Sequence, residues 1–219
     1  KENLSAPRAR LLSHMLRDYR RNGLELDEAG QKRLTELNEE LTRLGQSFDS
    51  NLAESALFLE VEPKDLEGLP PSYIETHKPG ANGKIKITTD YPDYFPVIQY
   101  AKNRNFALQL YTLFDNRAAD KNVAVLEKIF LLRREKAKLL GYATWADYVL
   151  EPRMAKTSGA VATFLDGLRK HLKKKGDDEL KEFVAMHVKL GGKATDSIPI
   201  SDRLYLEDQV RKEKYGLDS

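Results

Sequence analysis

Four histidines are the side chains best suited to metal chemistry here: His14, His77, His171 and His187. None has a second histidine three to five residues away. The metallopeptidase pattern H-E-x-x-H sets two ligands on one helical face, with a glutamate placed to activate water. It does not occur in the sequence. His171 and His187 are expected on neighbouring helices, where they could meet. A zinc site needs three or four ligands, however, so all four read as partly buried or surface histidines. The chain has no cysteine, which removes thiolate ligands, thiol nucleophiles and disulfides together. The expectation is no catalytic, no cofactor-binding and no metal-ligating residue in this chain.

Other chemistries leave equally little. The nucleophile-elbow pattern G-x-S-x-G is absent, and Thr157-Ser158-Gly159 reads as a helix cap. Gly80-Ala81-Asn82-Gly83-Lys84 superficially resembles a phosphate loop. Its glycines are too close together and it leads into a strand, so no helix N-terminus meets the anion. It reads as a turn. Arg169, Lys170, Lys173, Lys174 and Lys175 form a basic cluster beside an apolar face, with acids from Asp177 on to offset it; a solvated helix face is the reading. Glu151, Arg153 and Lys156 surround Pro152. They could line a cleft, or act as caps and surface ion pairs worth little each.

The elements around these residues are mostly helical. Leu11, Leu12, Met15, Leu16 and Tyr19 give one apolar face over 6–22, ended by Gly23. Asp27 reads as the cap of a long helix over 28–55, with Leu34, Leu37, Leu41, Leu44 and Phe48 as its seam. A short turn between the two predicts an antiparallel pair. The period then changes to two. Segments 56–61 and 84–89 predict one small β element, the second following the turn pair Asn82-Gly83. Tyr91 to Pro96 is expected to break regular structure. Segments 97–102 and 106–116 make two helices or one broken one, and a further helix over 120–141 is capped by Asp120. Thr144 with Asp147 resembles a capping box for a short helix that Pro152 stops. Another helix starts at Ser158 and is expected to break at Gly176. The next starts at Asp177 and ends at Gly191-Gly192, and a last one covers 202–215. The fold class is mainly α: a multi-helix array with long antiparallel helices and a small β element, as a single α-rich unit over residues 1–219.

Bulk properties bound the function. The chain has 219 residues, of which 41% are hydrophobic; a chain of this size buries roughly 70% of its unfolded surface. Charged residues make up 32%, but 36 basic against 34 acidic leaves a net charge of +2. Nucleic-acid binders carry a clear basic excess, so no nucleic-acid partner is expected. No apolar run approaches the ~20 residues of a membrane span, so no membrane partner is expected either. The absence of cysteine fits a reducing compartment such as the cytoplasm. The first residues show no signal-peptide core and no initiator methionine, so the chain is expected to start inside a larger or processed protein.

Several segments resemble the thimet oligopeptidase and neurolysin family of zinc metallopeptidases. They are Lys84-Ile85-Lys86-Ile87-Thr88-Thr89-Asp90-Tyr91-Pro92-Asp93-Tyr94-Phe95-Pro96, Lys138-Leu139-Leu140-Gly141-Tyr142-Ala143-Thr144, and Met154-Ala155-Lys156-Thr157-Ser158. Arg20-Arg21-Asn22-Gly23-Leu24 precedes them, and Asp202, Tyr205 and Arg211-Lys212-Glu213-Lys214-Tyr215 follow, in the family's order from about 8 to 215. Two departures stand out: Ser201 takes the place of a tryptophan, and Tyr205 is followed by Leu206 rather than a second tyrosine. The resemblance implies a two-lobed, mostly helical endopeptidase whose deep channel admits short peptides. It also implies zinc-activated water as the reagent in the full-length protein, with zinc, its ligands and the catalytic glutamate in a missing C-terminal region.

The reading is therefore a non-catalytic segment of a zinc-dependent oligopeptidase, forming part of the substrate-channel wall and binding no zinc itself. Its partners would be short peptide substrates and the missing catalytic region, with self-association through uncovered apolar faces. The alternative is a free-standing helical peptide-binding or scaffold module without enzymatic activity. An H-E-x-x-H downstream in the reading frame separates the two. RNA binding through residues 169–175 is a third reading, and it predicts affinity that falls steeply with salt.

Overall fold

A computed structural model describes residues 4–55, 57–195 and 197–216. The elements run α1 (Ala6–Arg21), α2 (Glu28–Glu54), β1 (Phe58–Val61), a 3-10 turn (Pro63–Leu66), α3 (Pro71–Thr76), β2 (Ile85–Thr88), α4 (Tyr91–Tyr100), α5 (Arg104–Asp115), α6 (Ala119–Leu139), α7 (Trp145–Leu150), α8 (Ser158–Lys189), a second 3-10 turn (Ile200–Asp202) and α9 (Arg203–Tyr215). The mainly helical fold with one small antiparallel sheet is the expected class. The chain divides into two compact units, Lys1–Asn51 with Asp120–Asp166 and Leu52–Ala119 with Gly167–Ser219.

In the first unit α2 is the organising helix. Asp27 caps it, accepting from the Gly30 amide at 2.8 Å. Its seam buries Leu34, Leu37 and Leu44 and half-buries Leu41 and Phe48, as spacing predicts. Its partner is α6. Arg33 reaches Glu135 at 2.7 Å, Lys136 donates to Asn38 at 2.6 Å, and Asn51 donates to the buried Asn122 at 2.8 Å. The N-terminal half of α2 meets the C-terminal end of α6, and Asn51 near the end of α2 meets Asn122 near the start of α6, so the two run antiparallel. This corrects the expected pairing of α1 with α2: α1 buries no residue, and Leu11 and Leu16 stay about 60% exposed. The physical reason lies in the contacts. Side-chain bonds to α6 are spread along α2 from Arg33 to Asn51, whereas the long-range bonds described for α1 are made by Arg20 and Arg21 at its C-terminal end. Asp120 lies in the first turn of α6 rather than at its cap.

The second unit is built on the hairpin. β1 and β2 pair antiparallel with Leu59 opposite Ile87 and Val61 opposite Ile85. A two-stranded ribbon is marginal in water unless one face is covered. Here α4 and α5 supply the cover. Ile85, Ile87, Val97, Ile98, Phe106 and Leu110 form the centre of the buried cluster. Ala56, placed in the first strand segment by sequence, lies outside the described residues.

Two helix boundaries differ from expectation. Tyr91 to Pro96 does not break regular structure but opens α4, with Pro92 in the first turn and Pro96 further in. A proline near a helix start removes an amide that has no partner anyway, and the buried Tyr94, Val97 and Ile98 hold the helix through Pro96. Gly176 does not interrupt its helix either: α8 is continuous from Ser158 to Lys189. One interior glycine costs only about 1 kcal/mol against alanine, too little to break a helix of this length.

A half-buried guanidinium ties the second unit together. Arg104, at the start of α5, donates to Asp202 at 3.0 and 2.9 Å, to the carbonyl of Ser201 at 2.9 Å, and to the carbonyls of Ile98 and Ala101 at 3.3 and 3.0 Å. Its plane lies 4.4 Å from the Tyr205 ring centroid. Removing one member of such a pair leaves a buried charge alone, a loss of about 3–5 kcal/mol. Arg104→Met is expected to lower the urea midpoint accordingly with an unchanged slope. Arg104→Lys should recover little, because one ammonium cannot reproduce the fork. An unchanged midpoint for either variant would remove the clamp from this account. At Gly68 (φ +94), an added Cβ would stand 2.5 Å from the Tyr100 carbonyl oxygen, so Gly68→Ala should also destabilise.

Candidate functional site

Of the clusters singled out from sequence, the one around Glu151 is the most developed. The C-terminal turn of α1 brings Arg20 and Arg21 to it, and Tyr142 reaches it from the loop after α6. Both arginines and the Tyr142 hydroxyl donate to the Glu151 carboxylate, Arg21 at 3.0 Å. Arg21 also donates to the Tyr148 carbonyl and stacks over that ring at 4.1 Å. Tyr142, Trp145 and Tyr148 form an aromatic run with centroids 5.2 and 5.0 Å apart. The Lys136 ammonium sits 5.5 Å from Tyr148, and Arg133 5.5 Å from Trp145. Of the trio proposed from sequence, Glu151 belongs to this cluster. Arg153 and Lys156 are placed by a turn in which Lys156 adopts φ +64.

The local sequence explains the placement. Thr144 caps α7, accepting from the Asp147 amide at 3.1 Å, and its hydroxyl donates to Asp147 at 2.7 Å. Ser158 donates to the other Asp147 oxygen at 2.7 Å, and Thr157 accepts from the Ala160 amide at 3.2 Å. The capping expected at 144–147 and 157–159 therefore fixes both ends of the turn that carries Glu151.

The electrostatics suit holding rather than catalysis. Burial pushes the Glu151 carboxyl up, but hydrogen bonds from Tyr142 and Arg21 and the charge of Arg20 outweigh it and hold it below the usual carboxylate range. Lys136 is pushed down by burial and by the Arg21 charge. A carboxylate with both oxygens engaged by cations is a poor base.

A second polar knot lies in the other unit. Asp93 accepts from the Thr88 amide and hydroxyl at 2.7 and 2.6 Å, and His77 Nε2 stands 2.9 Å from its other oxygen. The Tyr73 and His77 rings stack at 3.9 Å. Sequence reasoning missed this group; an aspartate three residues into the turn after a strand was its only signal. His171 and His187, expected on neighbouring helices, stand on the single helix α8. Sixteen residues separate them, roughly 24 Å at 1.5 Å per residue, so they cannot share an ion. Among the described residues no three His, Cys, Asp or Glu side chains converge on a metal position. The donor set does not fit zinc. The Gly80–Lys84 segment forms a tight turn, Gly80 and Lys84 bonding at 2.8 Å, and enters β2.

Glu151 gives the site a pH signature. Unfolded glutamate titrates near 4.3, and the folded value lies lower. Its stabilisation is full above the unfolded value and is lost as pH falls through the folded one. Glu151→Gln is expected to destabilise by about 1–2 kcal/mol at neutral pH and to flatten the loss of stability below about pH 4.3. Coincident acid-unfolding curves for parent and variant would contradict the assignment.

The relatives place the chain. A model of peptidase family M3 matches residues 97–219. Saccharolysin of Saccharomyces cerevisiae is 32% identical over 92% of this chain and 30% of its own length. Oligopeptidase A of Haemophilus influenzae is 31% identical over 81% of this chain and 28% of its own. Organellar oligopeptidase A of Arabidopsis thaliana is 29% identical over 99% and 29%. The chain thus spans less than a third of the length of the curated relatives it matches. With the family model covering more than half of its residues, this chain belongs to peptidase family M3.

Proposed function

We propose that this chain is a non-catalytic segment of a zinc-dependent oligopeptidase that hydrolyses short peptides in the cytoplasm. It contributes helices and the small hairpin to the wall of the substrate channel. One observation carries the reading: the chain aligns almost end to end with about a third or less of proteins named as oligopeptidases. In such an enzyme a bound zinc ion would supply Lewis-acid activation of the scissile carbonyl and of water. The described residues of this chain do not fit the ion, so the part we assign them is positional. The engaged Glu151 and the Arg104–Asp202 clamp hold helices in place. No described helix is long and apolar enough to cross a membrane. Relatives with cytosolic and with organellar names both exist, and the absence of cysteine favours the cytoplasmic placement.

The second reading, a helical peptide-binding module acting alone, draws on the aromatic and cationic run of Tyr142, Trp145, Tyr148 and Lys136. One experiment addresses both. The purified chain, supplied with zinc and a quenched fluorogenic peptide, is expected to release no fluorescence and to retain no zinc on gel filtration. Zinc-dependent turnover would overturn the non-catalytic assignment. Saturable binding of the uncut peptide would favour the module.

A further inference from the structure

Helix α8 carries an exposed apolar ridge that nothing above uses. Leu168, Leu172 and Leu180 are 41%, 57% and 54% exposed. With Gly176 they step by four residues, which makes one continuous ridge on a helix. Gly176 is its midpoint, and a Cβ placed there would meet nothing within 4 Å. On the C-terminal side of Gly176 a mainly apolar groove of about 270 Å³ opens, with Leu180, Phe183, Ile198, Pro199 and Ile200 along it and the charged Glu179 and Arg203 also in its lining. On the N-terminal side stand the protruding Leu168 and Leu172. Charge is arranged in the same way. Lys173, Lys174 and Lys175 precede Gly176, and Asp177, Asp178 and Glu179 follow it.

Knob and groove, base and acid, thus lie at matching distances on opposite sides of one glycine. A two-fold axis at that glycine reverses the order along the helix, so each half of one copy meets the complementary half of another. We propose that α8 is a self-association surface whose occupant is a second copy of this chain, crossing antiparallel at Gly176. Leu168 and Leu172 of each copy enter the groove of the other. Lys173 and Lys175, on the two flanks of the ridge, come opposite Asp177 and Glu179 of the second copy.

The same ions pair within the helix, Lys173 with Asp177 at 2.7 Å and Lys175 with Glu179 at 3.6 Å. All four side chains are more than half exposed, so these bridges hold little by themselves and leave carboxylate lone pairs for a facing lysine. Intrahelical pairing accounts for the charge order alone. It accounts neither for the exposed leucines nor for the groove beside them. A helix crossing centred on glycine belongs to the commonest packing class, in which i±4 ridges interdigitate. The absence of a side chain at the crossing point allows the backbones to approach. The inference does not depend on the peptidase reading, because every residue it uses lies within residues 168–200.

Sedimentation equilibrium tests it with two charge variants. The acidic variant carries Lys173→Glu, Lys174→Glu and Lys175→Glu; the basic variant carries Asp177→Lys, Asp178→Lys and Glu179→Lys. The parent chain is expected to show a reversible monomer–dimer equilibrium that weakens in about 1 M NaCl, where the Debye length falls to ~3 Å. Each variant alone should self-associate at least about tenfold more weakly, and an equimolar mixture should restore a one-to-one dimer. Circular dichroism checks that both are folded.

Gly176→Cys gives a readout independent of those substitutions. The parent has no cysteine, so air oxidation reports this contact alone, and the crossing brings the two sulfurs within disulfide reach. Lys181→Cys, on the other side of the helix, should stay monomeric. A parent chain that is monomeric at all concentrations would assign the ridge to another polypeptide and overturn the proposal. So would undiminished association of the charge variants, or equal crosslinking of Cys at 176 and 181.

Discussion

A charged group taken out of water must find all of its partners inside the protein, and in this chain that requirement fixes where the helices end. Arg104 is the clearest case. Its donors are met by one carboxylate and three carbonyls drawn from the end of α4, the loop after it and the 3-10 turn before α9. The apolar cluster under the hairpin supplies the driving force for collapse, but it is indifferent to small rotations. The guanidinium is not. In the other unit Glu151 plays the same part from the acidic side, drawing the end of α1 to the turn between α7 and α8. Each of the two groups joins segments that are distant in the sequence.

The uncovered apolar residues have a common origin. Short amphipathic helices bury one stripe each, and a chain of this size has more stripes than facing surface. The seams of α2 and α6 match and close on each other. Those of α1 and of the central part of α8 do not, and their leucines stay in solvent. Membership of peptidase family M3 supplies a context, since the relatives are more than three times as long. For α8 the local arrangement of groove and charge adds a more specific reason, because that helix is complementary to itself.

Much of this was legible from residue order. Helical periodicity located α1, α2, α6 and α9 to within a few residues. The two-residue period before and after the glycine-rich turn located the hairpin. Capping chemistry at Asp27, Thr144 and Thr157 appears where side-chain type placed it. These are local effects, set by contacts within a turn or two of chain, and composition therefore carries them.

What tertiary structure decided is equally specific. Periodicity says that a face is apolar but not which face will cover it, so α6 rather than α1 as the partner of α2 could not be read from the sequence. Proline and glycine were overweighted as breakers: Pro96 and Gly176 each oppose a helix by an amount that side-chain burial and helix length exceed. Among their partners, Asp202 lies 98 residues from Arg104, Arg21 lies 130 from Glu151 and Asp93 lies 16 from His77. Only the folded chain brings them within hydrogen-bonding distance, because the energy that selects them is the desolvation of a charge, and desolvation depends on the whole surrounding volume rather than on neighbouring residues.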